Sequence, residues 1–268
     1  MDLKDKSVVI TGGASGIGAA LAHRMAGAGA RICIADRDGD AARVVAKAVG
    51  GVAATCDVTD EAQIITAIEA AEKAHGPVDI FVSNAGLGRG DPSHAASAPD
   101  ADWMLNWQVH VMAHVYAARA LLPAMIGRGS GYFVNVASAA GLLSQIGDAA
   151  YTASKHAAVS FAESLNISHA QDGIGVSVVC PQYVATPLLG MADADAGGSL
   201  ITADEVAASV VAGVQNDTFL ILPHPEVAKY AALRGSDPAR WLTGMQMLRS
   251  KAIDEFGALR VQDFYKLV

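Results

Sequence analysis

Cysteine is scarce in this chain. Cys33, Cys56 and Cys180 are spread over 268 positions, each in or beside a short apolar run. Such spacing excludes a disulfide framework and a clustered thiolate metal set, and the three read as small core hydrophobes in a reducing compartment. Long apolar runs are missing as well. No uninterrupted stretch reaches the roughly 18 residues of a membrane span, and Asp2, Lys4, Asp5 and Lys6 break up the N-terminus where a signal peptide would need apolar residues. Basic runs are also absent. Lys and Arg number 19 against 27 Asp and Glu, a net charge of −8. That balance argues against nucleic acid and anionic membranes as partners, and it would repel a highly acidic carrier protein. The expectation is a cytoplasmic protein acting on a small molecule.

Apolar residues are plentiful, at 52% against 17% charged, so a sizeable core is available. Short apolar runs alternate with helical patterns from the start. Strands are predicted at Ser7–Thr11, Arg31–Ala35, Val52–Thr55, Asp79–Ser83, Tyr132–Val136, Val176–Cys180 and Phe219–Leu222. Helices are predicted at Gly16–Gly27, Asp40–Val49, Glu61–Ala74, Asp102–Ile126, Ala149–Gln171 and Ala203–Val214. Strands apolar on both flanks, alternating with helices, imply an α/β fold with a parallel sheet covered on both faces. No composition shift marks a second domain, so residues 1–268 are expected to form one unit. Residues 187–200, rich in Gly, Ala and Asp, are long enough for a lid, and residues 223–268 form a tail.

Ligands of such sheets bind at the carboxyl ends of the strands, so chemistry is sought there. After the first strand comes Thr11-Gly12-Gly13-Ala14-Ser15-Gly16-Ile17-Gly18. Glycines let the backbone approach a pyrophosphate, and the following helix offers free N–H groups. Asp36 closes the second strand, where a carboxylate can accept from both ribose hydroxyls of an adenosine and would repel a 2′-phosphate. NAD is therefore expected over NADP, although Arg37 could turn toward a phosphate and Asp36 could instead be a solvated turn residue. Asp57-Val58 after the third strand and Asn84-Ala85-Gly86 after the fourth are turn-type sequences. Their recurrence at strand ends marks them for cofactor contact.

Ser138, Tyr151 and Lys155 supply a hydroxyl, a phenol and an ammonium. If Tyr151 begins a helix, Lys155 lies one turn later on the same face. A nearby ammonium favours the phenolate and is expected to lower the tyrosine pKa. Alone, Y-x-x-x-K on a helix is a frequent accident.

Together, T-G-G-A-S-G-I-G, Asp36, Asp57-Val58, N-A-G at 84–86, Ser138 and Y-T-A-S-K at 151–155 resemble the short-chain dehydrogenase/reductase family in its compact form. The resemblance spans Lys6 to about Leu222. It implies a Rossmann-type, doubly wound, seven-stranded parallel sheet with helices on both faces, and a homodimer or homotetramer. It assigns Tyr151 as general acid/base, Ser138 as the residue positioning the substrate oxygen, and Lys155 as the group that lowers the tyrosine pKa and binds the nicotinamide ribose. Thr186, in the loop Pro181-Gln182-Tyr183-Val184, matches the threonine that contacts the carboxamide; Pro181 and Val184 join it as cofactor contacts.

Two positions depart from the family pattern. His110 stands where an asparagine supports a helix kink and a water linked to the lysine. It could do this differently, titrate near neutrality, or merely pack. His110 and His114 have the spacing of metal ligands but no third ligand in sequence, and no metal is expected. Gln182 replaces a glycine, and its side chain could enter the substrate pocket or point to solvent. The pocket is expected from Leu87, Leu142, Leu143, Ile146, Tyr183, Leu188, Leu189 and Met191, an apolar set suited to a hydrophobic or aromatic secondary alcohol. Arg89 is the cation nearest in sequence. Trp241, Leu242 and Met245 in the tail could close the pocket or form an interface. The expected reaction is reversible, NAD-dependent oxidation of that alcohol to its ketone; the alternative is a regulatory NAD(H)-binding protein of the same fold with little turnover.

Overall fold

The computed structural model describes all residues from Met1 to Val268. Seven strands, β1 (Ser7–Thr11), β2 (Arg31–Asp36), β3 (Val52–Thr55), β4 (Ile80–Ser83), β5 (Gly131–Val136), β6 (Ile174–Val179) and β9 (Leu220–Ile221), form one sheet in the order β3-β2-β1-β4-β5-β6-β9. All six pairings are parallel. Consecutive parallel strands need crossovers, and helices supply them. The order reverses beside β1, so the connections leaving β1 and β4 diverge and open a crevice at their carboxyl ends.

Strand alternation divides the core in two. Val9, Phe81, Phe133 and Val176 point to one face and pack under α3 (Glu61–His75), α5 (Ala113–Arg128) and α6 (Ala149–His169). Val8, Ile10, Ile80 and Val134 point to the other, under α1 (Gly16–Gly27), α2 (Gly39–Ala48) and α7 (Ala203–Gln215). The three cysteines are free and buried.

Three features differ from the sequence expectation. The long fourth helix is α4 (Asp100–Trp107), a π-turn at Gln108–Met112, and then α5. Asp100–Arg128 is also long and apolar enough to cross a membrane by length and composition, with mean hydropathy 1.3 over 18 residues. A search for uninterrupted apolar letters misses it because polar residues punctuate the stretch. Half of that window is buried inside the protein, as in a helix covering a sheet. The segment after β6 holds a separate parallel ribbon, β7 (Tyr183–Ala185) with β8 (Leu200–Thr202). Leu200 therefore belongs to a strand, and the intervening loop, where a lid is expected, holds two short 3-10 turns. The tail forms α8 (Glu226–Ser236), α9 (Pro238–Phe256) and a 3-10 segment at Val261–Lys266. Ala252 and Phe264 pack on Tyr183, Ala185 and Leu200, which ties tail to ribbon.

Candidate active site

Because the sheet is parallel, Gly12, Asp36, Asp57, Asn84, Ser138 and Pro181 all follow or end strands at one edge. The turn after β1 is braced from β4. Asn84 Nδ2 donates to the carbonyls of Thr11 and Gly12 at 2.9 and 3.1 Å, and Thr11 Oγ1 accepts from the Asn84 and Ala85 amides. Gly12 and Gly16 have φ of +62 and +50°, the region where glycine is at home. A Cβ on Gly18 would lie 2.2 Å from the Gly12 oxygen. The turn thus closes tightly on α1, whose first residues are Gly16, Ile17 and Gly18 and whose N-cap Ser15 makes no side-chain cap bond. These glycines form a cradle that side chains would fill, and the free N–H groups of the helix start suit a pyrophosphate.

Asp36 reaches the cradle directly. Its carboxylate accepts from the Ala14 amide and from Asp38 N, both at 3.0 Å. Arg37 next to it is exposed. Asp57 spends its carboxylate in a local turn on Thr59, and Val58 packs into the core. Gly86 lies where His110 and Lys155 meet: a Cβ there would stand 3.7 Å from His110 Nε2 and 3.9 Å from Lys155 Nζ.

Ser138, Tyr151 and Lys155 converge. Asp148 caps α6 by accepting from Tyr151 N at 3.0 Å, so Tyr151 sits in the first turn and Lys155 one turn on. Lys155 Nζ lies 5.6 Å from the centre of the Tyr151 ring and donates to Val136 O at 3.1 Å. Ser138 Oγ accepts from Ala140 N at 3.1 Å. Burial pushes the Tyr151 phenol up to about 12, while a hydrogen bond with Ser138 favours its ionised form and the Asp148 charge opposes it. Burial pulls Lys155 down to about 8. The expected lowering of the tyrosine pKa by Lys155 is therefore not found. Desolvation outweighs a cation that faces the ring and is engaged by a carbonyl.

His110 is fully buried. Its Nε2 accepts from Leu87 N at 3.2 Å, so Nδ1 carries the proton and donates to Ser154 Oγ at 2.9 Å. Ser154 in turn donates to Tyr151 O at 2.8 Å. The His110 ring also meets the Tyr151 ring edge to face, centroids 5.3 Å apart. Burial first, then the charge of Lys155, holds His110 well below its ordinary 6.5. Of the readings left open, titration near neutrality is set aside: His110 is a neutral stitch at neutral pH inside the π-turn, where an irregular helix meets a site. His114 is buried with Nδ1 unpartnered and is pulled down to about 3.

The short chain dehydrogenase family matches residues 6–197. The chain belongs to the short-chain dehydrogenase/reductase family. A 1-deoxy-11-beta-hydroxypentalenate dehydrogenase of Streptomyces exfoliatus is 34% identical over 235 residues, covering 84% of this chain and 86% of its own. The oxidoreductase UcpA of Escherichia coli is 32% identical, covering 91% and 92%. Among solved structures, a short-chain dehydrogenase/reductase from Burkholderia phymatum in complex with NAD superposes with a TM-score of 0.79 at 30% identity, over 88% of this chain and 95% of that one. A 3-ketoacyl-(acyl-carrier-protein) reductase from Brucella melitensis complexed with NADH follows at 0.75 and 31%, over 82% and 97%.

In this short-chain dehydrogenase/reductase the loop after β6 covers the glycine cradle. Thr186 Cγ2 would be 3.3 Å from a Cβ on Gly16, and Val184 and Thr186 are buried. Gln182 does not occupy the left-handed region, so a glycine is not needed. Its buried Oε1 has no partner. Beside the loop from Ser138 to Tyr151 lies a cavity of about 610 Å³, walled by Leu143, Ile146, Asp148, Trp241, Met245 and Arg249 among others. Of the apolar residues expected at a substrate pocket, Leu143 and Ile146 line this cavity, which none of Ser138, Tyr151 and Lys155 reaches; Tyr183 and Met191 pack with the tail and Leu188 is exposed. Arg89 is exposed in its loop, and the cations at the cavity are Arg234 and Arg249 from the tail. Arg234 donates to Leu142 O and to His156 Nε2 and stacks 5.3 Å from the Trp241 ring. A hollow along the outer face of α9, from Thr243 to Glu255, lies apart from these groups. Sequence reading missed Asp148 and Arg234. An aspartate three positions before a helical tyrosine is a cap signal that could have found the first; nothing local marks the second.

Proposed function

We propose that this chain is an NAD-dependent oxidoreductase interconverting a hydrophobic or aromatic secondary alcohol and its ketone. Ser138, Tyr151 and Lys155 gathered beside the glycine cradle carry this reading. A bound nicotinamide would accept or supply the hydride. Gly12, Ser15, Gly16, Ile17 and Gly18 would hold the pyrophosphate. Asp36 would accept from the adenosine ribose and repel a 2′-phosphate, and the NAD- and NADH-bound relatives agree with that choice. Arg37, Asp57, Val58, Asn84, Ala85, Gly86, Pro181, Val184 and Thr186 complete the cofactor wall.

Ser138 holds the substrate oxygen. Tyr151 gives that oxygen its proton in reduction and takes it back in oxidation. With the phenol near 12, the proton-loaded form prevails at neutral pH, so reduction is favoured there and oxidation at alkaline pH. Lys155 would bind the nicotinamide ribose, and His110 positions Tyr151 through Ser154. The cavity under α9 takes the substrate body. The pentalenate relative makes an alicyclic alcohol a natural candidate, whereas a net charge of −8 disfavours an acidic acyl carrier. The free, buried cysteines suit a reducing cytoplasm, and exposed Met104, Trp107 and Ile167 suit assembly as a homodimer or homotetramer. The whole chain acts as one unit.

The test follows nicotinamide absorbance with NAD or NADP and a panel of aliphatic, alicyclic and aromatic secondary alcohols. Turnover with NAD on one structural group supports the reading. Preference for NADP overturns the role of Asp36. Tight NADH binding with no turnover on any group, in either direction, favours the regulatory alternative.

A further inference from the structure

His224 sits between Pro223 and Pro225, just after β9, in a part of the sequence with no motif. It is 2% exposed, and both ring nitrogens bond to backbone. Nδ1 accepts from the Gln182 amide at 3.1 Å. Nε2–H donates to Tyr183 O at 3.1 Å and Ser199 O at 3.2 Å. One imidazole thus joins the loop leaving β6, the start of β7 and the residue before β8. Those segments are the two ends of the lid, and four residues beyond Gln182 comes Thr186, which packs on Gly16 of the cradle. A two-stranded ribbon is marginal by itself, so a fastener at its open end has a physical task.

We infer that His224 is a positioning residue that clamps the lid ribbon and thereby holds the Thr186 loop against the cofactor cradle. The inference rests on the nicotinamide-binding reading above. The clamp needs the neutral ring with Nδ1 as acceptor. A proton on Nδ1 would face the Gln182 N–H, two donors with nothing between them. Burial lowers the His224 pKa from 6.5, and the charges of Glu226 at the start of α8 and Glu205 in the first turn of α7 act the other way without reversing it. Neighbouring groups on the bonded segments are the Tyr183 phenol, which burial keeps protonated, and backbone. The clamp is therefore fully present above about pH 6.5 and is lost as pH falls through the lowered value.

The experiment uses the full chain, wild type, His224→Phe and His224→Gln. Glutamine can accept from Gln182 N and donate to one carbonyl without titrating. Amide hydrogen exchange of the free protein reads residues 182–185 and 199–202, and NADH titration reads affinity from pH 8 to pH 5. In the Phe variant, which loses all three bonds, exchange of those amides should rise by at least roughly tenfold, the effect of one lost buried hydrogen bond, and NADH affinity should fall by a similar factor. The Gln variant should recover most of both. Wild-type affinity should hold at pH 6.5 and fall away from that of the Gln variant only as pH drops through the lowered His224 value. Wild-type protection and affinity in the Phe variant would overturn the clamp; if Phe fails to fold, His224→Ala takes its place, and unchanged exchange of residues 182–185 and 199–202 there would overturn it. Absence of NADH binding by wild type would defeat the cofactor reading alone, with exchange still deciding the clamp.

Discussion

Asp148 joins the stability of α6 to the ionisation of Tyr151, and two substitutions separate the effects. The residue is 7% exposed, its carboxylate caps α6 at the Tyr151 amide, and its pKa is raised by burial, with the cap bond opposing and Asp102 adding to the rise. Its charge in turn raises that of Tyr151. Asp148→Ala removes the cap, a loss of about 1 kcal/mol. With an unfolding entropy of about 2.1 cal/mol/K per residue, a chain of 268 residues changes by roughly 0.56 kcal/mol per degree, so Tm should fall by about 2 °C. Asp148→Asn keeps the acceptor and removes the charge. A carboxyl raised in the fold adds stability below its unfolded pKa, and that contribution is lost as pH rises through the folded value. At neutral pH the Asn variant should therefore melt no lower than wild type. Its alkaline rise in alcohol oxidation should move to lower pH, because Tyr151 loses an opposing charge. Calorimetry and the pH–rate profile of kcat read the two effects. Equal melting of the Ala and Asn variants, or an alkaline limb that stays in place or moves up, would refute the coupling.

Other substitutions probe the remaining parts. Tyr151→Phe should lower turnover by roughly 10²- to 10⁴-fold while NADH affinity, measured by fluorescence, stays close to wild type. Gly18→Ala drives a methyl against the Gly12 oxygen and should weaken NADH binding at least tenfold, with a loss of about 1–3 kcal/mol in stability by denaturant titration. His110→Asn should leave the shape of the pH–rate profile between pH 6 and 8 unchanged, since His110 is already neutral there; a shift of that profile would show that His110 titrates.

The main sheet was legible because each buried strand is a short apolar run between turn residues, and β1, β3 and α1 begin and end where the periodicity says. Asp36, Asn84 and the glycines were legible because strand ends are where a parallel sheet exposes backbone. Tyr183–Ala185 and Leu200–Thr202 were not, since three residues carry no period and only pairing at a distance makes them strands. The π-turn at His110 escaped because one extra residue in a helical turn leaves no trace in an apolar pattern. The expected lowering of the Tyr151 pKa, and the titrating alternative for His110, failed for a single reason. Spacing along a helix reports which charges are near, whereas desolvation depends on everything that covers them.

The division between sheet and ribbon bears on how such a chain can change. The strand ends that carry Gly12, Asp36, Asn84 and Ser138 are fixed by two large cores, so substitutions there disturb the whole protein. The ribbon owes its place to a handful of side chains, among them Ala252 and Phe264 of the tail. That same tail contributes Trp241, Met245 and Arg249 to the cavity wall. Substitutions in the last helices therefore bear on the ribbon and on the cavity wall while leaving the two sheet cores in place. The sheet and the last helices can thus be altered one without the other.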